Sequence, residues 1–161
     1  MLNTALQVLS KDGTIADNTY QLIGEDGVIP QGDVVLTVEQ LDQIANVAGK
    51  KALYITVDAS PETHEFPLDQ LDSIFIEFAG FNDGRGYSFA ALLRRQGYQG
   101  ELRAVGDVFK DVLNYMKRSG FDSFVIKEGK DIQEAAAGLK DFTHPYQAST
   151  AVEKANYQTG K

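Results

Sequence analysis

Ser73-Ile74-Phe75-Ile76-Glu77-Phe78, followed by Ser88-Phe89 and Leu92-Leu93, a glycine at Gly97, and then Leu102-Arg103-Ala104-Val105, is the stretch that decides the fold. The first run is short, apolar and rich in β-branched and aromatic residues, so it predicts a strand. Phe89, Leu92 and Leu93 fall on one helical face, Ser88 can cap that helix, and Gly97 can stop it. Leu102 to Val105 is the next strand. The pattern then repeats. Asp107 can cap a helix with Val108, Val112, Tyr115 and Met116 facing inward and Gly120 as its stop, and Asp122 to Ile126 is a further strand. Asp131 with Glu134 forms a capping box for a helix through Leu139.

Working backwards, Asp33 to Leu36 and Ala52 to Val57 read as strands. Between them Thr37-Val38-Glu39-Gln40 is a capping-box pattern, with Leu41, Ile44, Val47 and Ala48 on one face and Gly49 as the stop. Leu68 to Leu71 can add one helical turn. Strands alternating with helices predict an α/β fold: a mainly parallel sheet with helices from βα units. Ala5 to Leu9 and Thr19 to Ile23, with turn chemistry at Lys11-Asp12-Gly13 and Glu25-Asp26-Gly27, predict a short N-terminal β-hairpin. The expected organisation is a hairpin extension over 1–32, an α/β domain over 33–142 and a polar tail over 143–161. The first expectation is an open twisted sheet with helices on both faces. The alternative is a partial (βα) barrel completed by dimerisation.

The chain has 161 residues, enough for one domain with a real core. It holds no cysteine, which removes disulfides, thiolate metal sites and thiol redox chemistry. His64 and His144 are far apart and lack the spacing of a metal-ligand pair, so no metal is expected. A net charge of −8 argues against nucleic-acid binding, which needs a basic footprint. The start of the chain lacks a secretory pattern and no apolar run approaches membrane-spanning length. The expectation is a cytoplasmic protein with no membrane association. Exposed sheet edges predict a homo-oligomer or a protein partner.

All five arginines lie between Arg85 and Arg118, a stretch with seven cations against three carboxylates in an otherwise acidic chain. Arginine suits bidentate recognition of oxyanions and fixed ion pairs alike. Ligands of open parallel sheets bind beyond the carboxyl ends of the strands. There Asp83-Gly84-Arg85-Gly86, with Ser88 at the helix start, can cradle a small oxyanion such as phosphate, sulfate or sulfite. The bland reading of the same residues is a tight strand–helix turn in which Arg85 pairs with Asp83 or Asp107. Arg103 and Asp107 complete the expected set, with Arg85, Arg103 and Asp107 close together. Arg103 and Glu77, charges inside apolar strands, can pair if their strands are neighbours. Asp58, Asp83 and Asp107 could also gather around magnesium, although Asp107 explains itself as a cap and Asp83 as a turn former. Arg94 and Arg95 read as a solvated helix end, and Tyr87, Tyr98, Tyr115 and Tyr146 as packing. No dinucleotide or P-loop fingerprint is present, so no cofactor is expected.

Asp83-Gly84-Arg85-Gly86-Tyr87-Ser88, Leu93-Arg94, Gly97 to Val108, Asp111, and Arg118-Ser119-Gly120-Phe121-Asp122 together resemble the bacterial domain-of-unknown-function family nine-three-four. The resemblance is specific from Phe78 to Phe124, and Tyr146-Gln147 is similar to the family's tail. Many members have Asp-Gln where this chain has Asp111-Val112, and a cysteine where it has Ser119. The resemblance implies a role beside assimilatory sulfite reduction: a small-oxyanion-binding protein or an accessory to sulfite reductase. An oxidoreductase or transferase at the strand ends, using a borrowed cofactor, is the alternative. It carries over no catalytic residues.

Overall fold

β6 (Ser73–Phe78) lies inside the sheet, paired in parallel with β5 (Lys51–Ile55) on one side and β7 (Glu101–Gly106) on the other. Ser73, Ile74, Phe75, Ile76 and Phe78 are all buried. The computed structural model describes residues 7–80 and 83–140. The tail from 143, Phe81 and Asn82, and the start of the first expected strand lie outside them. β4 (Val34–Thr37) and β3 (Gln21–Leu22) extend the parallel array beyond β5, and β8 (Ser123–Phe124) extends it beyond β7. β1 (Gln7–Ser10) then pairs antiparallel with β8, and β2 (Ile15–Asp17) antiparallel with β1. The result is one mostly parallel sheet of eight strands in the order β2-β1-β8-β7-β6-β5-β4-β3, curled into a half-barrel.

Among the described residues three α-helices accompany it: α1 (Arg85–Arg95) between β6 and β7, α2 (Leu113–Arg118) between β7 and β8, and α3 (Ile132–Lys140) after β8. The Thr37 signal starts a helix of 3-10 form over Val38–Asn46, where Thr37 N–H donates to Gln40 Oε1 at 3.0 Å. Asp131 Oδ1 accepts the Gln133 N–H at 2.8 Å and caps α3. α1 and α2 end at Gly97 and Gly120, both with positive φ. In each case the glycine N–H and the next residue's N–H return to carbonyls of the last turn: Gly97 to Arg94 and Tyr98 to Leu93, Gly120 to Lys117 and Phe121 to Met116. A side chain at those positions would strain this left-handed closure. Among the described residues, no helix is long and apolar enough to cross a membrane.

Two expectations are corrected. The helices do not cover both faces. Ile44, Phe89, Leu93, Met116 and Leu139 all pack into one cluster with Leu36, Leu53, Ile74 and Leu102. The opposite face forms a separate cluster of Val35, Tyr54, Phe75, Val105 and Val125, and among the described residues no helix contributes to it. The hairpin is also differently built. Lys11-Asp12-Gly13 does turn β1 back, but onto Ile15–Asp17; Gln21–Leu22 joins β4 at the far rim. The reason is geometric. Only Asn18, Thr19 and Tyr20 separate β2 from β3, which are the two outermost strands. Four residue steps reach at most about 14 Å. A flat eight-strand sheet is about 34 Å across. The link is therefore a chord across the concave face, and the sheet must curl for it to reach.

That chord is pinned by polar groups on the helix-free face. Strand alternation sends Glu101 and Arg103 of β7 to this face, beside Ser73 and Phe75 of β6 and Ser123 of β8. Buried Arg103 donates to Ser123 Oγ, to Asn18 Oδ1 and to Glu101 Oε2, each at 3.1 Å. Its guanidinium lies 4.6 Å from the centre of the Phe75 ring and 5.4 Å from that of Tyr20. Glu101 accepts from Ser73 Oγ at 2.6 Å and from the Ser123 hydroxyl. The Tyr20 hydroxyl is 3.1 Å from Ser73 Oγ, and burial pushes the phenol up to about 12. Arg103 thus pairs with Glu101, not with Glu77, which stands opposite Val105.

Burial alone raises the Glu101 carboxyl. The Arg103 charge and the hydrogen bonds from Ser123, Ser73 and Arg103 outweigh it, and the group titrates below its usual 4.5. A carboxylate with a depressed folded pKa stabilises the fold above its unfolded pKa, and that contribution is lost as pH falls through the folded value. Denaturant unfolding should therefore show stability declining as the pH drops below about 4.5. Glu101→Gln should flatten that decline and cost about 1–3 kcal/mol at neutral pH by leaving Arg103 without its anion. An acid limb equally steep in the variant would assign the decline to other carboxylates.

Candidate functional site

The parallel strands present their carboxyl ends along one edge. β5 leads there to Thr56 and Asp58, β6 to Asp83 and Arg85, β7 to Asp107 and β8 to Lys127. The loops after β6 and β7 lie side by side, since Asp107 N–H donates to the Phe78 carbonyl at 2.9 Å. Lys127 Nζ reaches Asp107 Oδ1 at 2.7 Å and lies 5.7 Å from the centre of the Phe109 ring. A small cavity of about 240 Å³ opens at the ends of β4 and β5, lined by Thr37, Tyr54, Thr56, Asp58 and His64. The His64 ring stacks on Phe66, and its Nδ1 is 3.2 Å from the Ser60 carbonyl oxygen.

At the start of α1 the exposed Arg85 side chain grips Asp83 with both arms of its fork. Nε donates to Oδ1 at 3.0 Å and Nη2 to Oδ2 at 2.7 Å. The Arg85 backbone N–H adds a bond to Oδ1 at 3.1 Å. The side-chain bonds first, then the backbone bond, hold the Asp83 carboxyl at about 2. Arg85 is raised in turn by Asp83, and Asp58 adds to it through its charge, so Asp58 lies within electrostatic reach. This is the plain strand–helix turn with the Arg85–Asp83 pair that the sequence allowed. It is also a built oxyanion contact in which the oxyanion is the protein's own carboxylate.

Asp83, Gly84, Arg85, Gly86 and Ser88 lie together at this turn, and Asp107 shares their edge. Arg103 does not join them. It is the third residue of β7, below the edge, and spends its donors on the concave face. Ser88 is not the cap of α1: the helix begins at Arg85 after Gly84, and the Ser88 hydroxyl turns back to the Gly84 carbonyl at 3.4 Å. Asp107 is not a cap either, because α2 begins only at Leu113, after a short 3-10 turn, and Asp107 pairs with Lys127. Gly86 is required by packing. A Cβ there would stand 2.6 Å from the Phe78 ring, whereas one at Gly84 meets nothing within 4 Å. Asp58, Asp83 and Asp107 do not gather: among the described residues no three carboxylate or histidine side chains are grouped to hold a metal ion.

Arg94 also departs from the expectation of a solvated helix end. It does not lie on a solvated helix face. Nη1 donates to the carbonyls of Tyr98 and Gly100, both at 2.9 Å, and Nη2 to Asp122 Oδ2 at 2.8 Å and the Gly120 carbonyl at 3.3 Å. Asp122 Oδ2 also accepts the Leu102 N–H at 3.0 Å. Arg94 therefore ties the end of α1 to the entries of β7 and β8. The available signal was the pair of glycine turns at Gly97 and Gly120, which leave carbonyls in want of donors. Lys127 was visible as a strand-end cation, but its partner Asp107 depended on the strand order.

The family model described as "Bacterial protein of unknown function (DUF934)" matches residues 52–157, and the chain belongs to that family. No curated protein and no solved structure matches it.

The packing and hydrogen bonds predict a sharp contrast between neighbours. Gly86→Ala should lower stability by about 1–3 kcal/mol through overpacking against Phe78. Gly84→Ala, with free space and ordinary backbone angles, should stay within about 0.5 kcal/mol. Arg94→Ala, which frees several carbonyls and a carboxylate, should cost about 1.5–3 kcal/mol. Thermal and urea unfolding of the three variants measures all of this. Equal effects at Gly84 and Gly86 would contradict the Phe78 contact.

Proposed function

We propose that the protein is a cytoplasmic small-oxyanion-binding accessory of assimilatory sulfite reduction, with sulfite reductase as its protein partner. In this reading β6–α1–β7–α2–β8 act as consecutive βα units that present one edge to the ligand. The observation that carries it is the Asp83 carboxylate held by three Arg85 donors at 2.7–3.1 Å, at an exposed helix start. Sulfite, sulfate and phosphate offer the same coplanar pair of acceptor oxygens that this fork receives. An incoming oxyanion competes with Asp83 for Arg85, so the pair acts as a gate that keeps affinity modest. The open rims of the half-barrel, β2 and β3, support self-association as part of the same proposal.

Calorimetric titration with sulfite, sulfate and phosphate tests it on the wild type and on Asp83→Asn, Arg85→Ala and Arg95→Ala. Asp83→Asn should bind more tightly by about tenfold, since the competing charge is gone. Arg85→Ala should bind about ten- to a hundredfold more weakly, the worth of a charge-assisted contact. Arg95→Ala, at an exposed helix end, should stay within about threefold. In carbon-detected NMR, saturating sulfite should move the Asp83 midpoint from about 2 back towards its usual 3.8. Equal losses in Arg85→Ala and Arg95→Ala, or an unmoved Asp83, would sink the reading.

A further inference from the structure

A second cavity lies away from the strand ends. It is an open groove of about 930 Å³ between α1 and α2, floored by Ala91 and Phe121. Two tyrosines form its aromatic wall. The rings of Tyr87 and Tyr115 lie 4.7 Å apart, and Tyr115 is 53% exposed, one of two large apolar side chains so displayed among the described residues. Tyr87 in turn packs on Phe78 at 4.9 Å, and Phe78 on Phe121 at 5.5 Å. The wall is therefore continuous with the core.

Cations rim this wall. Arg118 lies over the Tyr115 ring at 5.9 Å, and Lys117 and Lys11 line the groove near it. Two carboxylates are present. Asp122 is already bonded by Arg94 and Lys11. Asp12 is bonded to the Thr14 N–H and feels the Lys117 charge. With Arg94 included, the described residues of the lining carry four cations against two anions, in a chain whose net charge is −8. The positive groove is thus a local exception on an acidic molecule. Part of the charge complements the carboxyl ends of α1 and α2. That account covers Lys117 and Arg118 but not the exposed Tyr115 beside them.

We propose that the α1–α2 groove is a docking site for an acidic polypeptide segment of a protein partner, with an aromatic or aliphatic side chain of that segment seated against Tyr115 and Tyr87. An apolar centre of tyrosine ringed by arginine and lysine is the anatomy of a protein interface. Charge complementarity selects an acidic partner and speeds its capture. The acidic remainder of the chain disfavours a long polyphosphate, which would run beyond the groove into like charge. The proposal stands apart from the oxyanion reading at Arg85 and does not depend on it.

The test uses the full chain and a fluorescein-labelled glutamate-rich peptide with a central phenylalanine, followed by anisotropy. The control peptide carries glutamine in place of every glutamate. The acidic peptide should bind, and its affinity should fall about tenfold or more between about 20 and about 200 mM salt. Lys117→Glu with Arg118→Glu should weaken it about tenfold or more, and Tyr115→Ala about fivefold or more, with melting temperatures unchanged. Should charge reversal lower the melting temperature, Lys117→Gln with Arg118→Gln replaces it. Arg85→Ala should leave peptide affinity unchanged, which separates this site from the oxyanion contact. Equal binding of the glutamine peptide, no binding of either peptide, or unchanged affinity in the groove variants would overturn the proposal. So would tighter binding of a single-stranded oligonucleotide. Self-association in light scattering that these same variants abolish would identify a second copy as the occupant, and would also overturn it.

Discussion

The Arg103 guanidinium is the joint on which the architecture turns. It sits in the middle of β7 and holds three separated pieces of chain at once: Asn18 from the crossing link, Ser123 from β8 and Glu101 from its own strand. Its faces lie against Phe75 and Tyr20. A buried guanidinium is costly to desolvate unless its donors are met and an anion is near. Here Nε, Nη1 and Nη2 each donate a hydrogen bond and Glu101 supplies the anion, in an arrangement that the curled sheet brings together. Flatten the sheet, and the link carrying Asn18 and Tyr20 can no longer reach from β2 to β3. The polar network and the curvature therefore specify each other. Side-chain alternation on the concave strands does the rest, placing Ser73, Glu101 and Ser123 where Arg103 needs them.

The crossing link sends its Tyr20 against the concave face, so the helices pack on the convex one. α1 and α2 then run side by side outside the half-barrel, joined to β7 and β8 through Arg94 and Asp122. Two surfaces follow from this single arrangement. The strand carboxyl ends carry the Arg85–Asp83 and Lys127–Asp107 pairs. The outer seam between α1 and α2 carries Tyr87, Tyr115 and the rim of cations. Residues 85 to 88 of α1 belong to both, since Arg85 faces the edge pair while Tyr87 and Ser88 line the seam.

Most of the parallel half was legible because its signals are local. Ser73 to Phe78 reads as a strand from composition alone, and Gly97 and Gly120 mark helix ends that the structure closes through positive φ. The second strand of the hairpin was misread because Thr19 to Ile23 is as apolar as Ile15 to Asp17. Its pairing is decided by a partner many residues away. The curl was illegible for the same reason: a three-residue link constrains the sheet only once the strand order is known. Ser88 and Asp107 look like caps by residue type, but the helices start elsewhere because Gly84 and Phe109 precede the first helical turns.

The arginine block shows how composition can point to a region without defining a site. Residues of one type, gathered between positions 85 and 118, perform different work. Arg103 organises the concave network, and Arg94 bonds carbonyls at two helix ends. Arg118 lies over an exposed tyrosine ring. Arg85 combines an exposed side chain with a carboxylate bonded through its own fork and backbone N–H. A guanidinium committed to backbone carbonyls or a buried network cannot exchange its partners without loosening the fold. Arg85 is instead paired with one carboxylate, through a bidentate contact made by a side chain that is itself more than half exposed. The oxyanion contact proposed at Arg85 rests on this difference from Arg94 and Arg103.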